Sequence, residues 1–474
     1  MIQHRDPKTI FLLISLCVFM LFSSGFVFLP YSTIHLDTIL DEDAKVISLS
    51  DHTGSHFILG TFIDNKSVDK QSNIFIRKLN EDFSKQLFEV QFGGSGNEYI
   101  TDAFCSQDQL FICGSTRSID LPITEDALLL EPPGWGDGFI AIFDLSGHLQ
   151  YSSYIGGSST DICTSFKKQG DDLYIVGTTW SEDFPITTDA FQKRLYGNTD
   201  TFYMKLNLSF YTLEYATYLG GSGEEYCAAL CLVEDEPVLF GRTSSRDFFL
   251  TDNSYNQAFN GGEWDLFLIS LSSSGSPLYS TYLGGSRNDF ASDMEVAPDN
   301  TVYLTGRTYS SNYPITPTAI QLNMNGLSDG FVSIFNLKTK TLLFSSFFGG
   351  DKTEYPESIT FIDTIPAITG RTFSENQFPL TSNALQRKFA GGWSDGFILC
   401  LDESDHSLLY ASYLGGDDRD SIDSMVWSGH PNQVYIAGRT MSSSIPSKHV
   451  SYILEESGEN RWNGFVMKYW LPVE

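Results

Sequence analysis

Basic residues are scarce in this sequence. Against 59 Asp and Glu stand 29 Lys and Arg, a formal charge of −30 with histidine neutral. A surface this negative repels phosphate backbones and argues against nucleic acid as a partner, while cations, basic proteins and neutral sugars stay compatible with it. Cysteine is sparse as well. Cys17, Cys105, Cys113, Cys163, Cys227, Cys231 and Cys400 form no CxxC pair and have no histidines near them. Nothing therefore supports a zinc site, and the thiols read as small buried hydrophobes rather than a disulfide framework. No stretch past residue 29 combines helical periodicity with helix-forming composition. HExxH, GxSxG and a phosphate-binding glycine loop are missing too, so the sequence offers no catalytic constellation.

What is present is glycine (40 residues) and aromatic side chains (14%), a composition of short strands joined by tight turns. Residues 10–29 (IFLLISLCVFMLFSSGFVFL) form an uncharged run of 20, long enough to cross a bilayer as a helix. Arg5 and Lys8 precede it, which places the start in the cytoplasm and the remainder outside. The alternative is a cleaved signal peptide with Ser23-Ser24-Gly25 at its end. Either reading exports the body. The chain divides into an N-terminal anchor or signal peptide (1–30) and one large domain (31–474), held at the cell membrane by a single span or secreted.

The body repeats. A Gly-Gly pair closes an aromatic strand at 93–94, 156–157, 220–221, 284–285, 349–350 and 415–416, so the second glycines stand 63, 64, 64, 65 and 66 residues apart. An acid follows four residues later each time: Glu98, Asp161, Glu225, Asp289, Glu354 and Asp420. A glycine in CGST, VGTT, FGRT, TGRT, TGRT and AGRT ends the next strand, at Gly114, Gly177, Gly241, Gly306, Gly370 and Gly438. Then come a proline turn (LPIT, FPIT, YPIT, FPLT, with FFLT at 248–251 as the departure) and an Asp or Asn turn into a third strand. Each unit reads as four strands, and apolar residues on both faces of the third imply a sheet covered on both sides. A first unit without the Gly-Gly pair lies at 44–79, with Gly60 in the glycine position. The last unit stops after its third strand, 464–470. A strand at 31–36 (YSTIHL), matching the YSTYLGG of 279–285, is expected to complete that blade and close the ring. The expected fold is all-β: a seven-bladed β-propeller of four-stranded blades, preceded by one hydrophobic N-terminal helix.

The pattern YSTYLGGS…D…VYLTGRT…YPIT…SDGFV resembles the SBBP-type β-propeller repeat of secreted and cell-surface microbial proteins. The resemblance covers about residues 31–474. It implies a seven-bladed propeller and no particular activity, because folds of this kind host many functions.

The face carrying the Gly-Gly-acid loops and the roughly 20-residue second-to-third connections is the candidate binding face. The six acids, with Asp43 of the first unit, admit two readings: a cation site at the channel mouth, or caps on backbone N–H groups and partners for Arg242, Arg307, Arg371 or Arg439. The structural reading is the more economical for a motif repeated in nearly every blade. Asp417, Asp418, Asp420 and Asp423 form the densest acidic cluster but lack the order of a calcium loop, which leaves calcium as the one cofactor to consider. Trp135, Trp264, Trp393 and Trp462 recur before the Asp/Asn turn, as indoles either packing on a loop or stacking on a ligand such as a sugar. The leading function is a non-catalytic surface module for protein or glycan. A propeller hydrolase or lyase acting on polysaccharide and a structural adhesion component of the envelope are the alternatives.

Overall fold

The computed structural model describes residues 39–40, 45–51, 54–63, 71–446, 451–454 and 462–472. Seven antiparallel sheets follow one another along the chain, at 39–92, 98–155, 161–219, 225–283, 289–348, 354–414 and 420–470. In the fifth, for example, Asp289–Val296, Val302–Thr308, Asp329–Asn336 and Thr341–Phe348 pair in sequence order from the inside outwards. The third strand is buried from Asp329 to Phe335. Both of its faces are covered because each blade packs between two others.

The core is accordingly divided into seven apolar clusters, one at each junction between successive blades. Innermost strands touch their neighbours all the way round, the last included with the first. At that final junction Val46, Phe62 and Phe75 of the first blade pack with Tyr435, Trp462 and Val466 of the seventh. Asp423 accepts the Val46 N–H at 3.2 Å, and the Ser424 hydroxyl donates to the Val46 carbonyl at 3.1 Å. The ring is closed.

Six of the seven innermost strands carry a bulge at one equivalent place, for example between Ala291 and Asp293. This explains the glycine of the GRT motif. A Cβ on Gly306 would lie 2.1 Å from the Phe290 carbonyl oxygen, and the other five bulged blades bring the same oxygen as close. Bulges increase local twist, and here they leave no room for a side chain opposite. The innermost strand of blade one has no bulge, and Gly60 opposite it meets the Phe75 ring at 2.8 Å instead.

Blade seven corrects one expectation. Its outer edge is taken by Ser451–Leu454, registered from Ser451↔Met467 to Leu454↔Gly464. The fourth strand thus comes from within the second-to-third connection, before the third strand, so Gly464–Met467 is not open to 31–36. That segment, like Asp43 and the apolar run of 10–29 with its expected helix, lies outside the described residues. Blade one gains a short fifth strand, Ile39–Leu40, paired with Phe62 and Ile63.

Candidate functional site

The six repeated acids do not face the channel as a cation ring. Each is fully buried beneath its own Gly-Gly turn. Their carboxylates accept the N–H of Gly94, Gly157, Gly221, Gly285, Gly350 and Gly416 at 2.6–3.2 Å. Hydroxyls at the end of the second strand complete the set: for Glu354 these are Thr372 at 2.8 Å and Ser374 at 2.5 Å. One buried carboxylate therefore fixes the turn between two blades, and the first glycine is needed because a Cβ there would strike the acid's oxygen at 2.4–2.9 Å.

Sequence reading missed a second carboxylate at these turns. Asp137, Asp200, Asp265, Asp329 and Asp395, seen only as turn residues, are buried at the start of each third strand and approach the next blade's acid across the same glycine. Burial, with Asp161 nearby, raises Asp137 to about 7. Burial and Asp289 raise Asp265 to about 8. Glu225 and Glu354, again chiefly through burial, reach about 7. Two such oxygens side by side favour a proton on one of them. Among the described residues no group of three or more His, Cys, Asp and Glu side chains is arranged to hold a metal ion.

The Asp cluster of blade seven is dispersed among separate tasks. Asp417 holds Ser443, Asp418 accepts the Arg419 N–H, Asp420 caps Gly416, and Asp423 pairs with Arg439 at 2.8 Å. Arg371 likewise approaches Glu357 at 3.8 Å, and the arginines of the GRT motif otherwise turn to rings instead of to the repeated acids. Arg242 lies 4.7–5.1 Å from the centroids of Tyr226, Trp264 and Phe290. Arg307 lies 4.1–5.2 Å from Phe290, Tyr309 and Tyr355, and Arg371 is 4.8 Å from Tyr355. Cations and rings alternate along the inner end of blades four to six.

The four tryptophans separate into two pairs. Trp135 and Trp393, two residues before the Asp, are 88% and 66% exposed. Arg419 stacks on Trp393 at 4.7 Å. Trp264 and Trp462 directly precede their strands and point inward: the first is half-buried against Tyr226, the second buried in the closing junction under Arg439. Trp462 is 6% exposed and has no indole face open to a ligand. All six described cysteines are unpaired thiols, five of them buried.

Two of the cavities bear on the channel and the long-loop face. The channel, lined by all seven innermost strands, encloses about 220 Å³ and holds Lys45, Asp102, Lys167, Asp293 and Glu295. Burial opposes the charge of Lys167, but Glu295, Asp102 and Asp293 still hold its pKa above the ordinary value. Asp102 and Asp293 also tie blades together, accepting the N–H of Phe166 at 3.2 Å and of Ile359 at 2.9 Å. On the long-loop face, a cleft of about 530 Å³ between blades three and four is lined by Phe191, Gln192, Tyr196, Ser222, Asp247 and Phe249.

Seven four-stranded blades around a narrow charged channel define a β-propeller. No protein-family model matches the chain, and no curated protein does. Among solved structures it is similar to Sqt1 of Chaetomium thermophilum bound to the N-terminus of a ribosomal protein (10% identity, TM-score 0.44, 93% of this chain and all of that one). Others are hydrazine synthase of Kuenenia stuttgartiensis (10%, 0.44, 90% of this chain and all of that one) and the β-propeller domain of the Trilobed protease from Pyrococcus furiosus (10%, 0.42, 90% and 95%).

Proposed function

We propose that this chain is a non-catalytic binding module of the SBBP-repeat kind, displayed outside the cell membrane or secreted, that holds a protein or glycan on its long-loop face. The exposure of large rings on that face carries the reading. Trp135, Trp393, Tyr196 and Phe191 keep 42–88% of their surface free, at a cost that a bound partner offsets. The repeated carboxylates behind them are occupied in holding turns, so those acids do not compete with the rings for a ligand. The test is retention of the purified chain on glycan arrays and on immobilised envelope proteins. Trp135→Ala with Trp393→Ala should abolish retention and leave the melting temperature unchanged. Retention that survives the double substitution refutes the reading.

A further inference from the structure

The cleft between blades three and four breaks the repeat. Blades two, three, five and six place Pro122, Pro185, Pro314 and Pro379 in their turns, where blade four has Phe249. Phe191 of blade three, at a position held by Leu128, Tyr255, Ile320 and Leu385 elsewhere, meets it edge to face with centroids 4.9 Å apart. Both rings remain near 40% exposed, and Tyr196 stands beside them at 56%. The cleft is also lined by Asp247, whose Oδ1 accepts the N–H and hydroxyl of Ser222 at 2.9 and 2.8 Å. No cation pairs with it among the described residues. Arg246 lies instead over Phe259, and Arg194 over Tyr196.

We propose that this cleft takes a lysine or arginine side chain of a partner protein, an inference that rests on the long-loop face being the binding face. Rings offering a face to a cation and a carboxylate to pair with it are the two requirements of such a side chain. A chain of net charge −30 also draws basic partners towards itself. A sugar fits less well, because its several hydroxyls need several partners. Both ends of the Gln192 amide are engaged with Asp200, Arg194 and Gly220, and Ser222 is engaged with Asp247. Among the described side chains of the cleft, the second oxygen of Asp247 and the Tyr196 hydroxyl are left to bind a ligand.

The repeat supplies substitutions that keep the fold. Asn312 of blade five holds Ser286 through the same two bonds that Asp247 makes to Ser222, so Asp247→Asn removes the charge and retains the turn. Phe249→Pro restores the residue of four other blades. Asp183→Asn, in the matching turn of blade three, is the control for diffuse charge. Binding of the full chain to a synthetic octa-arginine peptide should weaken roughly tenfold with Asp247→Asn and with Phe249→Pro, and not with Asp183→Asn. Equal weakening by both Asn variants overturns the proposal in favour of non-specific attraction. Binding of cellohexaose that Phe249→Pro abolishes, without octa-arginine binding, overturns it too but keeps the face as the binding face. Failure of both probes removes the cleft, while the tryptophan experiment still decides the face.

Discussion

Arg307 of blade five rests over Tyr355 of blade six, its guanidinium carbon 4.1 Å from the ring centroid. Phe290 and Tyr309 flank the same cation, so one side chain joins two blades near the axis with no carboxylate paired to it among the described residues. Arg307→Ala should cost about 1–2 kcal/mol in chemical denaturation. Arg307→Lys should recover only part of this, because an ammonium cannot stack as a planar group. An unchanged midpoint in the alanine variant would refute the role.

The turn acids lend themselves to a sharper contrast. Asp289→Ala strips acceptors from Gly285, Thr308 and Ser310 in a buried place and should destabilise by roughly 2–4 kcal/mol. Asp289→Asn keeps an acceptor and should cost less than half as much. The two midpoints in one denaturant series check this.

Stability should depend on pH in an unusual direction. Asp265 titrates at about 8 in the folded chain, and Asp137, Asp395, Glu225 and Glu354 at about 7, all above their unfolded values near 4. The folded form therefore holds more protons between those limits. Its advantage is complete below the unfolded values and is lost as pH rises through 7–8. Thermal unfolding should occur several degrees lower at pH 8.5 than at pH 5.5. Asp137→Asn with Asp265→Asn should flatten the slope; an unaltered slope would assign it to net charge instead.

The bulge makes one glycine costlier to replace than another. Gly306→Ala drives a methyl into the Phe290 carbonyl and should cost roughly 3 kcal/mol or prevent folding. Gly60→Ala meets a ring that can tilt, and about 1 kcal/mol should suffice. Comparing soluble yield and denaturation midpoint separates them.

Much of this architecture was legible because backbone geometry dictates it. Gly306 and Gly284-Gly285 recur in every later blade because a bulge and a buried acid tolerate nothing larger, and such constraints leave a period in the sequence. The Arg307 stack was hidden, since it depends on which residues flank a bulge in the adjacent blade. Trp135 and Trp462 looked equivalent, yet an offset of one residue from the strand start puts one in solvent and the other in the core. Ser451–Leu454 escaped notice because four residues inside a long connection carry too little pattern, and the likeness of 31–36 to 279–284 pointed elsewhere. The cleft was half visible: FFLT marked the departure, but Phe191 became its partner only across a blade boundary.

Every described blade is spun from one unbroken stretch of chain, the seventh included, with its outer strand drawn from its own connection. A blade can therefore mature as soon as its own segment leaves the ribosome, with docking onto its predecessor as the next step. Only the seam between Val46 and Asp423 must wait until the first and the seventh blade have both been made.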